Sequence, residues 1–287
     1  MFQKKTTFQE ELSQSNRLLI IPTHECNRNC SYCVDQLGRK MFANQYISMA
    51  NVEKAIEFAK QGKKEVVEIS GGEPTLHPQI VEIARRIKNA GFHIKMHTNC
   101  DFLNVVYQLN GLVDRFVISF RNQKNLPNPK DFPNTEIVLY SLLDAERFPT
   151  LQSLDEIIDR YGDTYLLKFR TLFDANDYCI KNQTPFLKEL DALGTNSIRE
   201  DKRVKGPTFT QYRGHNIRRV DIPAQNLGDD YFHPIVEPDG TISYYYPDLS
   251  ELLKDITPTP ALISELRTTK SLERQNEIIA KFLSDCN

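Results

Sequence analysis

Residues 24–33 read His24-Glu25-Cys26-Asn27-Arg28-Asn29-Cys30-Ser31-Tyr32-Cys33, and three of the six cysteines of the chain lie in this short stretch. Three thiolates so close in sequence converge only if the segment loops around a common centre, and thiolates bind soft metal ions or iron–sulfur clusters. A structural zinc ion needs a fourth protein ligand, whereas a four-iron cluster held by three cysteines leaves one iron open. The stretch therefore predicts a metal centre.

Two other interpretations of these cysteines stay open at this point. A zinc knuckle completed by His24 or by a distant residue has similar spacing, and so does a disulfide beside a free thiol. The remaining cysteines, Cys100, Cys179 and Cys286, are scattered along the chain. They are predicted to be ordinary residues rather than ligands.

The spacing Cys-x3-Cys-x2-Cys, with Tyr32 just before the last cysteine, resembles the signature of the radical S-adenosylmethionine (SAM) superfamily. The resemblance implies that Cys26, Cys30 and Cys33 ligate three irons of a [4Fe-4S] cluster. It implies further that SAM chelates the fourth iron and that Tyr32 packs near the adenine of SAM. Packing within the loop itself is the alternative role of Tyr32.

A second motif, Gly71-Gly72-Glu73-Pro74, follows a predicted strand at 65–70. Two glycines permit a sharp turn and a close approach to a ligand, and the carboxylate that follows can accept hydrogen bonds from an ammonium group. Alone, this tetrapeptide is also typical of an ordinary turn. One βα unit after the cysteines, it is similar to the superfamily's second motif, whose backbone and acid hold the methionyl amine of SAM.

Later strand ends supply further candidates. Asn99 lies in a Thr-Asn-Cys sequence where many relatives have Thr-Asn-Gly, and it is expected either to line the cofactor and substrate cavity or to form a turn. Because Cys100 replaces the usual glycine, a close backbone approach there is in doubt. Ser119 falls where the family often has a contact to the ribose of SAM, and Arg121 lies just beyond it.

Lys168 and Arg170 alternate along a predicted strand at 165–170, so they share one of its faces. If that face points inward, Arg170 and Lys168 are placed to bind a carboxylate of SAM or of the substrate. If it points to solvent, the apolar alternates fill the interior instead. The sequence leaves both orientations open.

Short apolar runs alternate with amphipathic helical patterns across residues 17–174, which gives about six βα-like units. Together with the resemblance, this pattern predicts an α/β fold, a partial open (β/α)6 TIM-like barrel. Residues 1–16 are predicted to form a polar lead-in, residues 17–174 the barrel core, and residues 175–287 a small α+β C-terminal extension that covers the substrate. The loop at 122–134, rich in Asn, Pro and Lys, is a predicted lid or substrate contact.

The extension contains a basic stretch at 199–219 and a predicted hairpin around Pro238-Asp239-Gly240. In relatives with an auxiliary cluster, a ligand cysteine follows a similar hairpin. Here Tyr244-Tyr245-Tyr246 stands at that place, and no cysteine occurs between Cys179 and Cys286. We therefore expect a single cluster.

The chain has 287 residues, 40% of them hydrophobic and 26% charged, and a net charge of -2. This composition is typical of a soluble globular protein and provides no overall field that attracts nucleic acid or membranes. The first 16 residues lack the apolar core of a signal peptide, and no run has the length of a membrane span. These features predict a cytoplasmic protein.

The function implied by the resemblance is that of a radical SAM enzyme with one [4Fe-4S] cluster, which cleaves SAM reductively and abstracts hydrogen from its substrate. The basic extension favours a small polar or anionic substrate, either a metabolite or a nucleotide. The alternatives are the modification of a ribosomally made peptide and, in a different class, a non-catalytic zinc-binding module. The expected partners are the substrate and an electron donor such as flavodoxin or ferredoxin. The motifs predict no catalytic residue beyond the cofactor site.

Overall fold

The structure is a computed structural model, which describes residues 16–33, 35–121, 123–172, 181–193, 195–198, 208–219 and 234–243, and positions 262, 265, 266, 277, 278 and 281. Several predicted features lie outside the described residues. These are the lead-in at 1–15, Cys179 and Cys286, the first half of the basic stretch at 199–207, and the three tyrosines at 244–246.

Six neighbouring parallel strands form the centre of the sheet, in the order in which they occur in the chain. They are β1 (Arg17–Ile20), β2 (Val66–Ile69), β3 (His93–Thr98), β4 (Arg115–Ser119), β5 (Glu136–Leu143) and β6 (Leu166–Thr171). Parallel strands need long crossover connections, and helices occupy most of these connections. This arrangement confirms the α/β fold with six parallel strands predicted from the sequence.

The connecting helices are α1 (Gln36–Met41) and α2 (Met49–Gln61) after β1, α3 (Ile80–Asn89) after β2, α4 (Leu103–Gln108) after β3, and α5 (Leu151–Tyr161) after β5. Short 3₁₀ helices occur at Pro74–Leu76 and Pro129–Asp131. The Ser48 hydroxyl accepts a hydrogen bond from the backbone N–H of Asn51 and so caps α2 at its start.

The residues after the core add strands to both edges of the same sheet. They form α6 (Leu187–Leu193), β7 (Thr195–Ile198), β8 (Thr208–Tyr212), β9 (His215–Arg219), β10 (Ile235–Val236) and β11 (Ile242–Ser243). Strand β9 pairs in parallel with β6, and β10 pairs in parallel with β1. Among the described residues no strand pairing joins the edge strands β11 and β7, so the sheet is open, as expected of a partial barrel.

Alternation along the strands separates an apolar outer face from an inner face that carries the charged side chains of these strands. The outer side chains, such as Ile69, Met96 and Phe169, are buried in one core with residues of α2, α3 and α5. The opposite set, which we call the inner face, includes the polar and charged residues Arg17, Glu68, Lys95, His97, Arg115, Glu136, Tyr140, Lys168 and Arg170, together with apolar residues such as Leu19, Val66, Val117 and Val138. Closed TIM barrels fill this space with apolar layers, so a charged inner face indicates a solvated interior.

The inner face is concave. Lys168 on β6 interacts electrostatically with Lys95 on β3, although β4 and β5 separate these strands in the sheet. Curvature of the sheet, as in a partial barrel, shortens the distance between these two strands. Within the described part of the chain, no helix is long and apolar enough to cross a membrane.

Candidate metal centre

The cysteine loop, residues 24–33, follows the carboxyl end of β1, the end at which α/β folds place their chemistry. The thiols of Cys26, Cys30 and Cys33 are free and half-buried. The backbone N–H of Cys33 donates to the carbonyl of Cys30 at 3.0 Å, and that of Arg28 donates to Sγ of Cys26 at 3.4 Å. The loop thus places three half-buried sulfurs at the carboxyl end of β1.

The segment 71–74 lies directly against the cysteine loop. The backbone N–H groups of Gly72 and Glu73 donate to the carbonyls of Thr23 and Glu25 at 3.0 and 2.7 Å. A Cβ added at Gly72 would overlap the carbonyls of His24 and Glu25, so only glycine permits this approach. The two motifs of the sequence therefore meet through their backbones.

Glu73 is buried and already bonded to protein groups. One carboxylate oxygen accepts from Thr75 N–H at 3.1 Å and from the Thr98 hydroxyl at 2.7 Å, and the other accepts from Asn99 N–H at 2.6 Å. Burial raises the pKa of Glu73, and these hydrogen bonds oppose the rise. Glu73 thus ties the glycine turn to the end of β3, a structural role that the sequence did not reveal.

Asn99 lies beside the cysteine loop and also forms a turn. Its amide nitrogen donates to Oδ1 of Asn27 at 2.7 Å and lies 4.0 Å from Sγ of Cys26, while its own Oδ1 accepts from the N–H of Asp101 at 2.9 Å. The next residue, Cys100, is buried and has a φ of 62°, the conformation that glycine favours. The backbone path of a Thr-Asn-Gly turn is therefore kept although the glycine is replaced.

The ring of Tyr32 contacts two arginines. The guanidinium carbons of Arg121 and Arg147 are 5.2 and 5.7 Å from the ring centroid. Burial and the neighbouring Cys30 raise the pKa of Tyr32 to about 12, so the phenol is neutral at neutral pH. Arg121 also donates from Nη1 to Sγ of Cys30 at 3.2 Å. Ser119, at the end of β4, has an exposed side chain.

Arg39 on α1 supplies a positive charge beside two of the cysteines, and the sequence analysis missed it. Its Nη1 donates to the carbonyl of Arg28 at 2.9 Å, whereas its buried Nε has no hydrogen-bond partner among the described residues. Burial raises the pKa of the Cys26 and Cys33 thiols, and the charge of Arg39 opposes this rise. An unpaired buried donor is costly, so an acceptor such as a cluster sulfur fits here.

His24, at the start of the loop, lies between two carboxylates. Its Nδ1 is 2.8 Å from both oxygens of Asp35, and its Nε2 is 2.9 Å from Oε2 of Glu237. Burial lowers the pKa of His24, but these two hydrogen bonds outweigh it and raise the pKa to about 9. His24 is therefore engaged on both nitrogens, in a charged state at neutral pH.

Lys168 and Arg170 lie on the inner face, because their neighbours Leu167 and Phe169 belong to the core beneath the helices. The centre of this face is Glu68, which forms ion pairs with Arg17 at 2.9 Å and Lys95 at 3.1 Å and whose Oε1 lies 2.7 Å from Nε2 of His97. The three partners outweigh the burial of Glu68 and hold its pKa well below the usual value. Arg170 lies over the ring of Tyr140 at 5.6 Å.

Within the described ranges, no three His, Cys, Asp or Glu side chains are arranged to hold a single metal ion. A four-iron cluster takes each cysteine on a different iron, so its ligands need not converge on one point. An anionic, sulfur-rich group would find suitable partners here. These are three half-buried thiols, the unpartnered Nε of Arg39 and the cation of Arg121. The residues present therefore fit an iron–sulfur cluster.

Residues 20–120 match a family model described as the radical SAM superfamily. They belong to that superfamily. The matched segment runs from β1 through β4 and contains both the cysteine loop and residues 71–74. The cofactors of this superfamily are a [4Fe-4S] cluster and SAM. The family match therefore confirms the two cofactors expected from the sequence.

Curated relatives match about a third of the chain. A probable GTP 3′,8-cyclase of Thermococcus kodakarensis is 33% identical over 82 residues, which are 29% of this chain and 26% of the relative. A putative glycyl-radical enzyme activating enzyme of Methanocaldococcus jannaschii is 28% identical over 92 residues, or 32% of this chain and 34% of the relative. The chain thus matches about a third or less of these relatives' length. Both are named as enzymes, which agrees with the prediction of a radical SAM enzyme.

Among solved structures, SuiB of Streptococcus suis bound to the precursor peptide SuiA resembles this chain with a TM-score of 0.51 and 13% sequence identity. The likeness covers 91% of this chain and 64% of SuiB. At this identity the similarity concerns the fold alone, and it supports an α/β partial barrel.

Proposed function

We propose that the chain is a radical SAM enzyme that carries one [4Fe-4S] cluster on Cys26, Cys30 and Cys33. The observation that carries this proposal is the direct contact between the cysteine loop and residues 71–74, which the N–H groups of Gly72 and Glu73 make with Thr23 and Glu25. Within the superfamily the first motif holds the cluster and the second holds SAM. Together, cluster and SAM supply reductive cleavage and hydrogen abstraction when bound.

The protein's own groups provide placement and charge. Arg39 and Arg121 lie beside the cysteine sulfurs and offset the negative charge of the thiolates. Tyr32 is neutral and its ring contacts Arg121 and Arg147, and the resemblance to the superfamily places it near the adenine of SAM. Asn99 and Ser119, at the ends of β3 and β4, complete the proposed cofactor side of the cavity together with Arg170.

The substrate is proposed to be a small anionic molecule, either a metabolite or a nucleotide. The inner face carries five lysine and arginine side chains against two glutamates, so its net charge is positive. The side chains of Lys95 and His97 keep 25% and 31% of their surface exposed inside the curved sheet. A solvated, positively charged interior favours an anionic ligand. One relative is named as a GTP cyclase, and GTP is such a ligand.

A peptide substrate is the second candidate. It is supported by the fold shared with SuiB, whose structure holds a precursor peptide. The remaining parts of the proposal are an electron donor such as flavodoxin or ferredoxin, and a division into a barrel core at 17–174 and an extension at 175–287. The predicted cytoplasmic location stays a prediction.

Anaerobic reconstitution with iron and sulfide tests the cluster assignment. The wild-type chain should bind about four iron atoms and, with a reductant, convert SAM to 5′-deoxyadenosine and methionine. Cys30→Ala should remove both properties. Cys100→Ala is the matched control, because Cys100 is buried and lies outside the loop, and it should retain the iron. A wild-type chain that holds zinc and is inert towards SAM would instead support the zinc module.

A further inference from the structure

The contact between His24 and Glu237 joins the cysteine loop to a distant part of the chain. The two residues are 213 positions apart in sequence. Their side chains are 1% and 2% exposed, and Asp35, on the other side of the imidazole, is 6% exposed. Such a buried arrangement is costly to leave incomplete, because removing one partner leaves a polar nitrogen without its hydrogen bond.

The histidine ring is also held on its faces. The ring of Phe42 stacks on it with a centroid distance of 5.0 Å and an interplanar angle of 13°. Gly38 lies so close that an added Cβ would overlap both the His24 Nδ1 atom and the Asp35 carboxylate. Both ring nitrogens and the face stacked on Phe42 are therefore constrained, and His24 cannot reorient without moving its neighbours.

Glu237 reaches this position through backbone pairing. Strand β10 pairs with β1 through Leu19↔Ile235 and Ile20↔Val236, which places Glu237 directly beyond the strand. The N–H of Glu237 donates to the carbonyl of Thr241 at 2.9 Å, and the N–H of Gly240 donates back to the carbonyl of Glu237 at 2.9 Å. The tight turn of the hairpin 234–243 thus presents the carboxylate to His24.

His24 and Asp35 flank the proposed cluster loop at its two ends, and Glu237 contacts His24 from outside the loop. His24 stands two residues before Cys26, and Asp35 stands two residues after Cys33. Fixing His24 against Asp35 closes the loop at its base, and Glu237 fixes that base to the sheet. A loop whose ends are held pays less conformational entropy when its ligands are ordered.

We propose that Glu237 is a positioning residue for the cluster, which acts through His24 on the loop that carries Cys26, Cys30 and Cys33. The hairpin 234–243 then belongs to the cluster site rather than to a substrate cover. This inference rests on the proposed function, because it concerns the cluster assigned there. It adds a support outside the matched segment 20–120.

The test uses the full chain, reconstituted anaerobically, and measures the rate at which a chelator removes iron. Glu237→Ala should accelerate iron loss about 10- to 100-fold, as expected when a group that orients metal ligands is removed. It should also change the electron paramagnetic resonance (EPR) spectrum of the reduced cluster. Glu237→Gln keeps an oxygen that accepts a hydrogen bond from His24 Nε2, so its rate of iron loss should be close to that of the wild type. Asp239→Asn, on the exposed turn of the same hairpin, should behave as wild type.

A double-mutant comparison shows whether Glu237 acts through His24. His24→Asn should accelerate iron loss like Glu237→Ala, and the double variant should be no faster than the faster single variant, because both break one chain of contacts. If Glu237→Ala impairs folding, seen by circular dichroism, Glu237→Asp replaces it, since the shorter acid keeps the charge but falls short of His24. Additive effects, or wild-type iron loss in the Ala or Asp variant, would overturn the inference. A wild-type chain without iron would overturn the proposed function as well.

Discussion

Arg121 donates a hydrogen bond from Nη1 to Sγ of Cys30 across 3.2 Å. The same guanidinium lies over the ring of Tyr32, so one side chain contacts both a proposed cluster ligand and the aromatic residue of the motif. Hydrogen bonds and charges near cysteine sulfurs tune the potential of iron–sulfur clusters. The contact therefore predicts a role in setting the cluster potential.

Arg121→Gln should make the cluster's midpoint potential more negative, because a cation near the cluster stabilises the more negatively charged reduced state. A hydrogen bond to a charged group contributes about 1.5–3 kcal/mol, which sets an upper limit of roughly 130 mV on the shift for a one-electron couple. Arg121→Lys keeps the charge but loses the planar guanidinium group. Its midpoint potential should lie between those of the wild type and Arg121→Gln. An EPR-monitored redox titration measures the shift.

Arg85→Gln is the control for this titration, because Arg85 is an exposed residue of α3 paired with Glu82. Its potential should equal that of the wild type. An unchanged potential in Arg121→Gln would show that the contact has no influence on the cluster.

Glu73→Gln should weaken SAM binding and also lower stability. The sequence alone predicts only the first effect, since it shows an acid in a SAM motif. In the structure, Glu73 accepts hydrogen bonds from Thr98 and Asn99, so the substitution should destabilise the fold by about 1–3 kcal/mol. Chemical unfolding and equilibrium SAM binding separate the two effects.

Thr98→Val is the matched comparison, since it removes one of these hydrogen bonds and keeps the carboxylate. It should lower stability while SAM affinity falls less than in Glu73→Gln. Equal loss of SAM affinity in the two variants would mean that Glu73 acts only through the fold.

Glu68 should make the stability of the chain pH-dependent. Its three partners hold the pKa of folded Glu68 well below the ordinary glutamate value of about 4.3. The stabilisation is therefore present above that value, and it is lost as the pH falls through the lower pKa of the folded state. Glu68→Gln should cost roughly 3 kcal/mol at pH 7, because it leaves partly buried cations without their counter-ion.

Unfolding curves of wild type and Glu68→Gln, recorded from pH 7 downwards, test this expectation. The difference in the free energy of unfolding between wild type and Glu68→Gln should shrink only below about pH 4. Glu82→Gln, in an exposed ion pair on α3, should leave the unfolding midpoint nearly unchanged at every pH. A difference between wild type and Glu68→Gln that is independent of pH would contradict the ionic role of Glu68.

Lys168→Gln should weaken the binding of an anionic ligand to the inner face. GTP and inorganic pyrophosphate serve as probes in titration calorimetry of the reconstituted protein. Removal of one contacting charge should weaken binding roughly tenfold, and higher salt should reduce the difference. Lys54→Gln, on the exposed surface of α2, is the control. Equal affinity in wild type and Lys168→Gln would favour the peptide alternative.

The central strands were predictable because each of them is a short apolar or alternating run between helical patterns. In β3, the sequence His93-Ile94-Lys95-Met96-His97 shows the period of two directly. The direction of Lys168 and Arg170 was not predictable, since alternation tells which residues share a face but not which face is inside. The packing of Leu167 and Phe169 against the helices settled it.

The contacts around the cysteine loop were predictable only in part. The two motifs signal their own positions through cysteine spacing and paired glycines. Arg39, Arg147 and Glu237 have no local signal, because their roles arise from tertiary contacts over long sequence separations. The positive φ of Cys100 was likewise not predictable, because residues other than glycine rarely adopt it and the surrounding fold imposes it.

The most direct test of the central claim is the EPR spectrum of the reduced, reconstituted protein, recorded with and without SAM. If Cys26, Cys30 and Cys33 hold a cluster with one open iron, the protein should show the signal of a reduced four-iron cluster. Adding SAM should then change that signal. A chain that binds zinc or no metal, or a cluster signal that SAM leaves unchanged, would contradict the account.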